Sequence, residues 1–410
     1  MKQHRALEAI LESQRQLYNA ALQERIEAYR KAGITRTYFD QTRALTEWRN
    51  EDPEGRLVPV SLQRATLKRV DAAFNGFFRR VRDGVARPGF PRFRGKAGFD
   101  TFGFRQFMGI RLLKDRVRFK GLPGELRLGM HRPLPERGLL VGCTFHRDLR
   151  GWVIGLAVEL DEAAPRPIQK AVGLDLGVAA LAVLSDGSTI PNIKVATRTS
   201  KRRTRLQRAL SRKMPLSKGR GRARANLARC CAQATRRRSD HLHQASARLA
   251  SAYDLIAIER LEVGRLAAGM LAASVRDAAW GRFILMLKYK AKRVGAEIVQ
   301  VDPRDTTQSC SRCGARSEKA LRDRWHHCGC CGLSIDRDHN SALNILHRAG
   351  VGPGLLNVAV SGMRASEKPL VYGPEALPYM CSPPKDLQHV EPSYAYMWRP
   401  PLTDRLVPVM

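Results

Sequence analysis

The chain has 410 residues, 43% of them hydrophobic, enough for two or three domains with cores of their own. Its 72 Lys and Arg against 38 Asp and Glu give a formal charge of +34, far beyond what solubility needs, and this points to a polyanionic partner, nucleic acid first. No signal peptide or membrane-length apolar run stands in the sequence, and nine cysteines, four in paired knuckles and the others at irregular places, make no disulfide framework, so the expected setting is a reducing cytoplasm without a membrane partner.

From Leu7 to about Lys31, Leu11, Leu17, Tyr18, Ala21 and Leu22 recur at helical spacing and predict the first of several helices. A second helix is expected from Leu62 to Val81, with Leu67, Val70, Ala73, Phe74, Phe77 and Phe78 as an apolar stripe read as core. Pro88-Gly89-Phe90-Pro91-Arg92-Phe93-Arg94-Gly95-Lys96 then breaks any helix and interleaves aromatic with basic side chains, a surface nucleic acid can use. Short runs between Phe102 and Leu160, such as Val117-Arg-Phe and Trp152 to Val158, read as antiparallel strands of a small β-domain.

A different pattern starts at Ala171. Val172 to Val178, Ala180 to Leu184 and the turn Ser185-Asp186-Gly187-Ser188 predict strand, bend, strand and hairpin. Between Lys194 and Arg238 stand seventeen Lys and Arg and no acid, a density that repels itself unless phosphate is near. Leu206, Leu210, Leu227, Leu242, Ala245 and Leu249 make this stretch helical rather than a disordered linker. Tyr253-Asp-Leu-Ile-Ala-Ile-Glu259 is a nearly continuous apolar run typical of a buried parallel strand, closed by a carboxylate. A helix from about Val275 to Val294 and a strand from Ala296 to Val301 follow; beyond Gly350 periodicity disappears amid prolines, and a disordered tail is expected.

Two knuckles, Cys310-Ser-Arg-Cys313-Gly314 and Cys328-Gly-Cys-Cys331-Gly332, have the spacing at which four thiolates converge on one zinc ion while the intervening chain turns back. Cys330 breaks the two-residue spacing and reads as a bystander, with His326 and His327 as weaker substitutes. Three carboxylates stand out. Asp175 sits within an apolar strand, Glu259 ends another, and Asp338 precedes the helical segment Asn340 to Leu346. Each costs several kcal/mol to bury ionised and alone, so together they imply cations. Carboxylates bridging two magnesium ions about 4 Å apart suit phosphodiester hydrolysis, and magnesium prefers such hard oxygen donors over the thiolates of the knuckles. A basic protein that merely coats phosphate needs no such set. Asp336 and Glu262 compete with Asp338 and Glu259, but Glu262 falls beyond its strand and Asp336 lies two residues from Asp338, in a different direction.

Gly173-Leu-Asp175-Leu-Gly177, Ile256-Ala-Ile-Glu259-Arg-Leu261, Thr307-Gln-Ser-Cys310-Ser-Arg-Cys313-Gly and Asp336-Arg-Asp338-His-Asn340-Ser-Ala occur in an order that resembles TnpB, the transposon-encoded ancestor of type V CRISPR effectors. Upstream, Leu17 to Leu22 and Pro88 to Arg94 also fit. The resemblance implies an α/β protein: a RuvC-like, RNase H-type nuclease domain with an inserted zinc ribbon, preceded by a helical recognition lobe and a wedge β-barrel. On that reading residues 1–95 are the recognition lobe, without the wedge strand that the family carries ahead of its first helix, and 96–167 the wedge barrel. Residues 168–305 are the RuvC-like domain with a basic helical insertion at 194–250, 306–333 the zinc ribbon, 334–349 the last RuvC segment and 350–410 the tail. It further implies a guide RNA, a double-stranded DNA target and magnesium-dependent cutting, with Asp175, Glu259 and Asp338 holding Mg2+ and Cys310, Cys313, Cys328 and Cys331 holding Zn2+. The family's Asp-x-Asn register favours Asp338 over Asp336. Rival readings are a guide-loaded repressor, which would have a broken carboxylate set, a compact type V effector, and a strand-joining transposase.

Overall fold

The computed structural model describes residues 2–130, 133–136, 138–149, 151–266, 268–269, 272–318 and 323–351; the expected tail beyond 351 lies outside the described residues. Two compact units divide the chain, one running through Asp161 and the other starting at Glu162.

The first unit opens with α1 (Lys2–Ala32), α2 (Tyr38–Glu51) and α3 (Val60–Arg82). Leu7, Ile10, Leu11, Tyr18, Ala21 and Leu22 line one face of α1 at the three- and four-residue steps of a helix stripe, and Leu62, Leu67 and Val70 are buried from α3. They share a core with Phe102, Phe104, Val117, Phe119 and Phe145 from the strands that follow. Those strands are β1 (Thr101–Phe104), β2 (Ile110–Leu113), β3 (Arg116–Phe119), β4 (Leu126–Arg127), β5 (Gly138–Asp148) and β6 (Gly151–Leu160), arranged as two antiparallel three-stranded sheets, β1-β5-β6 and β2-β3-β4.

The aromatic stripe of α3 departs from expectation. Val70 is core and Phe74 packs against it, but Phe78 is 57% exposed. The helix outruns the core, and its last aromatics gather with Phe90, whose ring lies 5.1 Å from Phe77 and 5.7 Å from Phe74. The Arg80 guanidinium donates to the Pro88 and Gly89 carbonyls and ties that loop back to the helix.

The second unit begins with β7 (Ala171–Asp175), β8 (Ala180–Leu184) and β9 (Thr189–Pro191), an antiparallel meander. The basic helices α4 (Val195–Ser211) and α5 (Lys218–Ala252) come next, rooted by Asp277, whose carboxylate accepts the Ala196 N–H at 2.9 Å and an Arg238 N–H at 2.6 Å. After β10 (Leu255–Glu259) come α6 (Val263–Leu266), α7 (Ala272–Ala278), α8 (Trp280–Val294) and β11 (Glu297–Val301). The single helix expected over 275–294 is thus two, because Ala279 turns to φ 55° between them.

β10 and β11 run parallel to β7, giving the sheet order β11-β10-β7-β8-β9. Alternation sorts its side chains. Val172, Leu174, Ile256 and Ile258 join Leu242 and Leu249 of α5 and Phe283 and Leu287 of α8 in one core, whereas Leu255, Ala257 and Val301 join Ile345 in another. Ile345 belongs to α9 (Arg337–Arg348), reached through the hairpin β12 (Trp325–His327) and β13 (Ser334–Asp336).

Candidate active site

Asp175 and Glu259 are the last residues of β7 and β10. These strands are parallel neighbours, with Ile258 opposite Leu174, so the two carboxylates leave the same sheet edge on chains about 4.8 Å apart. Both fall on the alternate register to Leu174 and Ile258, which face α5 and α8, and therefore on the α9 side. Gly173, two residues before Asp175, lets α9 approach closely: a Cβ there would collide with the Ala342 carbonyl.

α9 brings the third carboxylate. Asp336 caps the helix, its Oδ1 accepting the N–H groups of Asp338 at 2.9 Å and His339 at 3.0 Å, and this occupation separates it from its competitor. Asp338 follows in the first turn. Arg337 donates twice to Asp338 Oδ1, each at 3.1 Å, and Arg324 stands 3.5 Å from Oδ2. His339 Nε2 lies 3.1 Å from the Ser185 carbonyl and sets the helix start against the β8–β9 hairpin.

Burial, then the negative charges of Glu259 and Asp338, hold the Asp175 carboxyl well above its ordinary range, with Arg337 opposing. Burial also raises Glu259, against a hydrogen bond from Thr306 and the charge of Arg348. Unlike the thiols described below, Asp175, Glu259 and Asp338 do not bring one oxygen each within 4.8 Å of one another, but like charges that act on each other at a half-buried strand edge are an environment a divalent cation relieves, and hard carboxylate oxygens suit magnesium. Glu262 lies exposed beyond β10.

The four thiols converge. Cys310, Cys313, Cys328 and Cys331 place their sulfurs within 4.8 Å of one another, and among the described residues they are the one His, Cys, Asp or Glu group of three or more that does so. Cys310 and Cys331 are 3.6 Å apart and Cys313 and Cys328 3.5 Å, near the roughly 3.8 Å that a tetrahedron of 2.3 Å Zn–S bonds requires. The Cys331 and Cys330 N–H groups point at the Cys328 thiol and lower its pKa to about 6. Cys313, although the Ala315 N–H favours its thiolate, is pushed up to about 12 by the neighbouring thiols. This donor set fits zinc. Cys330 is exposed outside the group, and neither His326 nor His327 joins it.

Sequence reasoning missed the side chains that hold these ligands: Arg337, Arg324 and Thr306 around the carboxylates, and Asn340 and Asn344 between α9 and the first knuckle. The four-residue spacing of the two asparagines was the available signal.

A carboxylate-bearing α/β sheet edge, a four-thiol finger able to hold a metal ion, and a chain rich in arginine describe a protein suited to nucleic acid. The comparisons with known proteins narrow the class. Residues 280–345 match the family described as "Cas12f1-like, TNB domain" and 156–269 the family described as "Probable transposase". A Streptomyces pristinaespiralis protein, provisionally named an RNA-guided DNA endonuclease, is 33% identical over 362 residues, 86% of this chain and 88% of its own length. The Escherichia coli K12 protein InsQ, provisionally named likewise, is 28% identical over 80% of this chain and 85% of its own. In a cryo-EM structure of a Cas12f1–sgRNA–target DNA complex, the protein superposes with a TM-score of 0.54 at 12% identity, over 83% of this chain and 82% of that one, which shows a shared fold. The chain belongs to the TnpB family. Among the described residues, no helix is long and apolar enough to cross a membrane.

Proposed function

We propose that the protein is a transposable-element-encoded, RNA-guided DNA endonuclease whose catalytic residues are Asp175, Glu259 and Asp338. The observation that carries this reading is the exit of Asp175 and Glu259 from the carboxyl ends of adjacent parallel strands, on the face covered by the helix that bears Asp338. An antiparallel meander extended by two parallel strands accords with an RNase H-type, RuvC-like domain formed by 168–305 and 334–349. Residues 306–333 are then the zinc ribbon, held by Cys310, Cys313, Cys328 and Cys331. In the first unit, residues up to 95 serve as the recognition lobe and 96–167 as the wedge barrel.

Magnesium bound at the three carboxylates would supply Lewis-acid activation of water and stabilisation of the leaving oxygen. The chain's own part is to hold the carboxylates at one edge, keep Asp175 against apolar strands, and grip phosphate with the arginines of α4 and α5. A paired guide RNA selects sequence while the protein contacts the backbone.

The test begins by sequencing the RNA that co-purifies with the chain. The complex is then given double-stranded DNA matched to that RNA, with magnesium. Guide-matched breaks are expected, lost in Asp175→Ala and Glu259→Ala with guide and target binding retained; a variant that still cuts removes its residue from the site. Target binding without breaks in the natural chain would make it a repressor, and strand joining a transposase.

A further inference from the structure

Thr306 lies just ahead of the first cysteine knuckle and is 2% exposed. Its hydroxyl donates to Glu259 Oε1 at 2.5 Å, and its oxygen also sits 3.1 Å from the Pro303 carbonyl. The segment that carries it is held from α9 by two buried amides. Asn344 Nδ2 donates to the Thr306 carbonyl at 2.8 Å and to the Ser309 carbonyl at 2.7 Å. One turn earlier, Asn340 Nδ2 donates to the same Ser309 carbonyl at 2.7 Å, and its Oδ1 accepts the Ser311 N–H at 2.9 Å. Ser309 and Ser311 flank Cys310. The helix bearing Asp338 therefore grips the backbone around the first thiol, and that backbone presents the hydroxyl that holds Glu259.

We propose that Thr306 is a positioning residue: it fixes the Glu259 carboxylate for cation binding, and Asn340 and Asn344 set its place. A carboxylate that already accepts one hydrogen bond has lost rotational freedom and keeps its second oxygen for a cation, and removing such an outer partner typically lowers metal affinity about tenfold or more. The four-thiol finger is thereby linked to the carboxylate edge through Ser309, Asn344 and Thr306. The inference rests on the carboxylates being the cation site.

The experiment titrates Mn2+ calorimetrically into the nuclease-treated, RNA-free full chain, with Asp175→Ala as the blank. It compares the natural chain with Thr306→Val, which keeps the shape and loses the hydroxyl, and with Thr306→Ser, which restores it. Expected is a dissociation constant about tenfold higher for Thr306→Val, with zinc content unchanged and Thr306→Ser matching the natural chain. In the guide-loaded complex, the magnesium midpoint for cutting moves in parallel. A merely structural role would lower the active fraction, and so the amplitude, leaving the midpoint in place. Equal affinity in Thr306→Val and the natural chain, or equal loss in Thr306→Ser and Thr306→Val, overturns the proposal while leaving the carboxylate site intact. No Asp175-dependent Mn2+ binding in the natural chain overturns both.

Discussion

Replacing Gly173 by Ala tests whether the close approach of β7 and α9 builds the site. The added Cβ would collide with the Ala342 carbonyl oxygen and stand 2.9 Å from the Leu346 nitrogen and 3.0 Å from its Cβ. Both obstacles on the helix side include backbone, so no side-chain rotation clears them. Restoring a contact of about 3.5 Å to the Leu346 nitrogen alone moves α9 away by about 0.6 Å, and the carbonyl demands more. Overpacking of this kind costs about 1–3 kcal/mol. For a unit of this size that lowers the melting temperature by roughly 2–12 °C. The same retreat carries Asp338 away from Asp175 and Glu259, and on the proposed reading of these three as the catalytic groups, which tolerate only about 0.5 Å of misplacement, about 1 Å costs a hundredfold in rate. Differential scanning fluorimetry and single-turnover cutting below the melting transition, corrected for folded fraction, read the two effects separately. A Gly173→Ala protein with the natural melting temperature and rate would refute the close packing, and with it the account of how Asp338 reaches the strand edge.

Cys310→Ser is expected to lower bound zinc below one ion per chain and to lower the melting temperature, read by elemental analysis and calorimetry; full zinc occupancy would remove Cys310 from the ligand set. Replacing exposed Lys201, Arg202 and Arg205 of α4 with Gln should lessen the slope of log affinity against log salt by about 2 if each contacts a single-stranded RNA phosphate, and an unchanged slope would place the RNA elsewhere. Asp186 supplies a pH test. Although burial raises its carboxyl, hydrogen bonds from Ser188 and the Tyr253 hydroxyl hold it below the ordinary 3.8. A depressed folded value stabilises above the unfolded one and is lost as pH falls through the folded value, so Asp186→Asn should flatten the acid end of the stability curve below pH 3.8, measured by urea unfolding. A curve as steep as that of the natural chain would contradict the assignment.

What could be read in advance followed from local pattern. Val172 to Asp175 and Leu255 to Glu259 are apolar runs closed by an acid, and a buried strand ending in a carboxylate is visible in one dimension. The cysteine knuckles are visible for the same reason, because the ligand spacing lies within a few residues. α2 escaped because Gln41 and Leu45 are its only buried residues among those described, too few for a stripe, although Thr37 and Asp40 spell a capping box. The break at Ala279 falls on an alanine, while the nearby Gly281 lies inside α8, so residue type does not announce it. Phe77 and Phe78 continue a helical period that is real, but the core they point toward ends one turn earlier, and period alone says nothing of where a partner surface stops.

The harder omission lies around the carboxylates. Thr306, Asn340 and Asn344 stood in the sequence beside the residues singled out, yet each acts through a bond to a segment 30 or more positions away: Asn344 to Thr306 across 38 residues and Thr306 to Glu259 across 47. A ligand can be inferred from its own chemistry, since an acid in an apolar strand needs a cation or a counter-charge wherever the strand lies. A positioning group cannot, because a threonine or an asparagine satisfies itself equally well with water, a cap or a turn. Only the packing of α9 on β7, permitted by Gly173, decides that these polar side chains are buried and must find backbone partners. The acids and the thiols are therefore legible as chemistry, while the hydrogen-bonded lattice that joins the segments carrying them is a property of the fold.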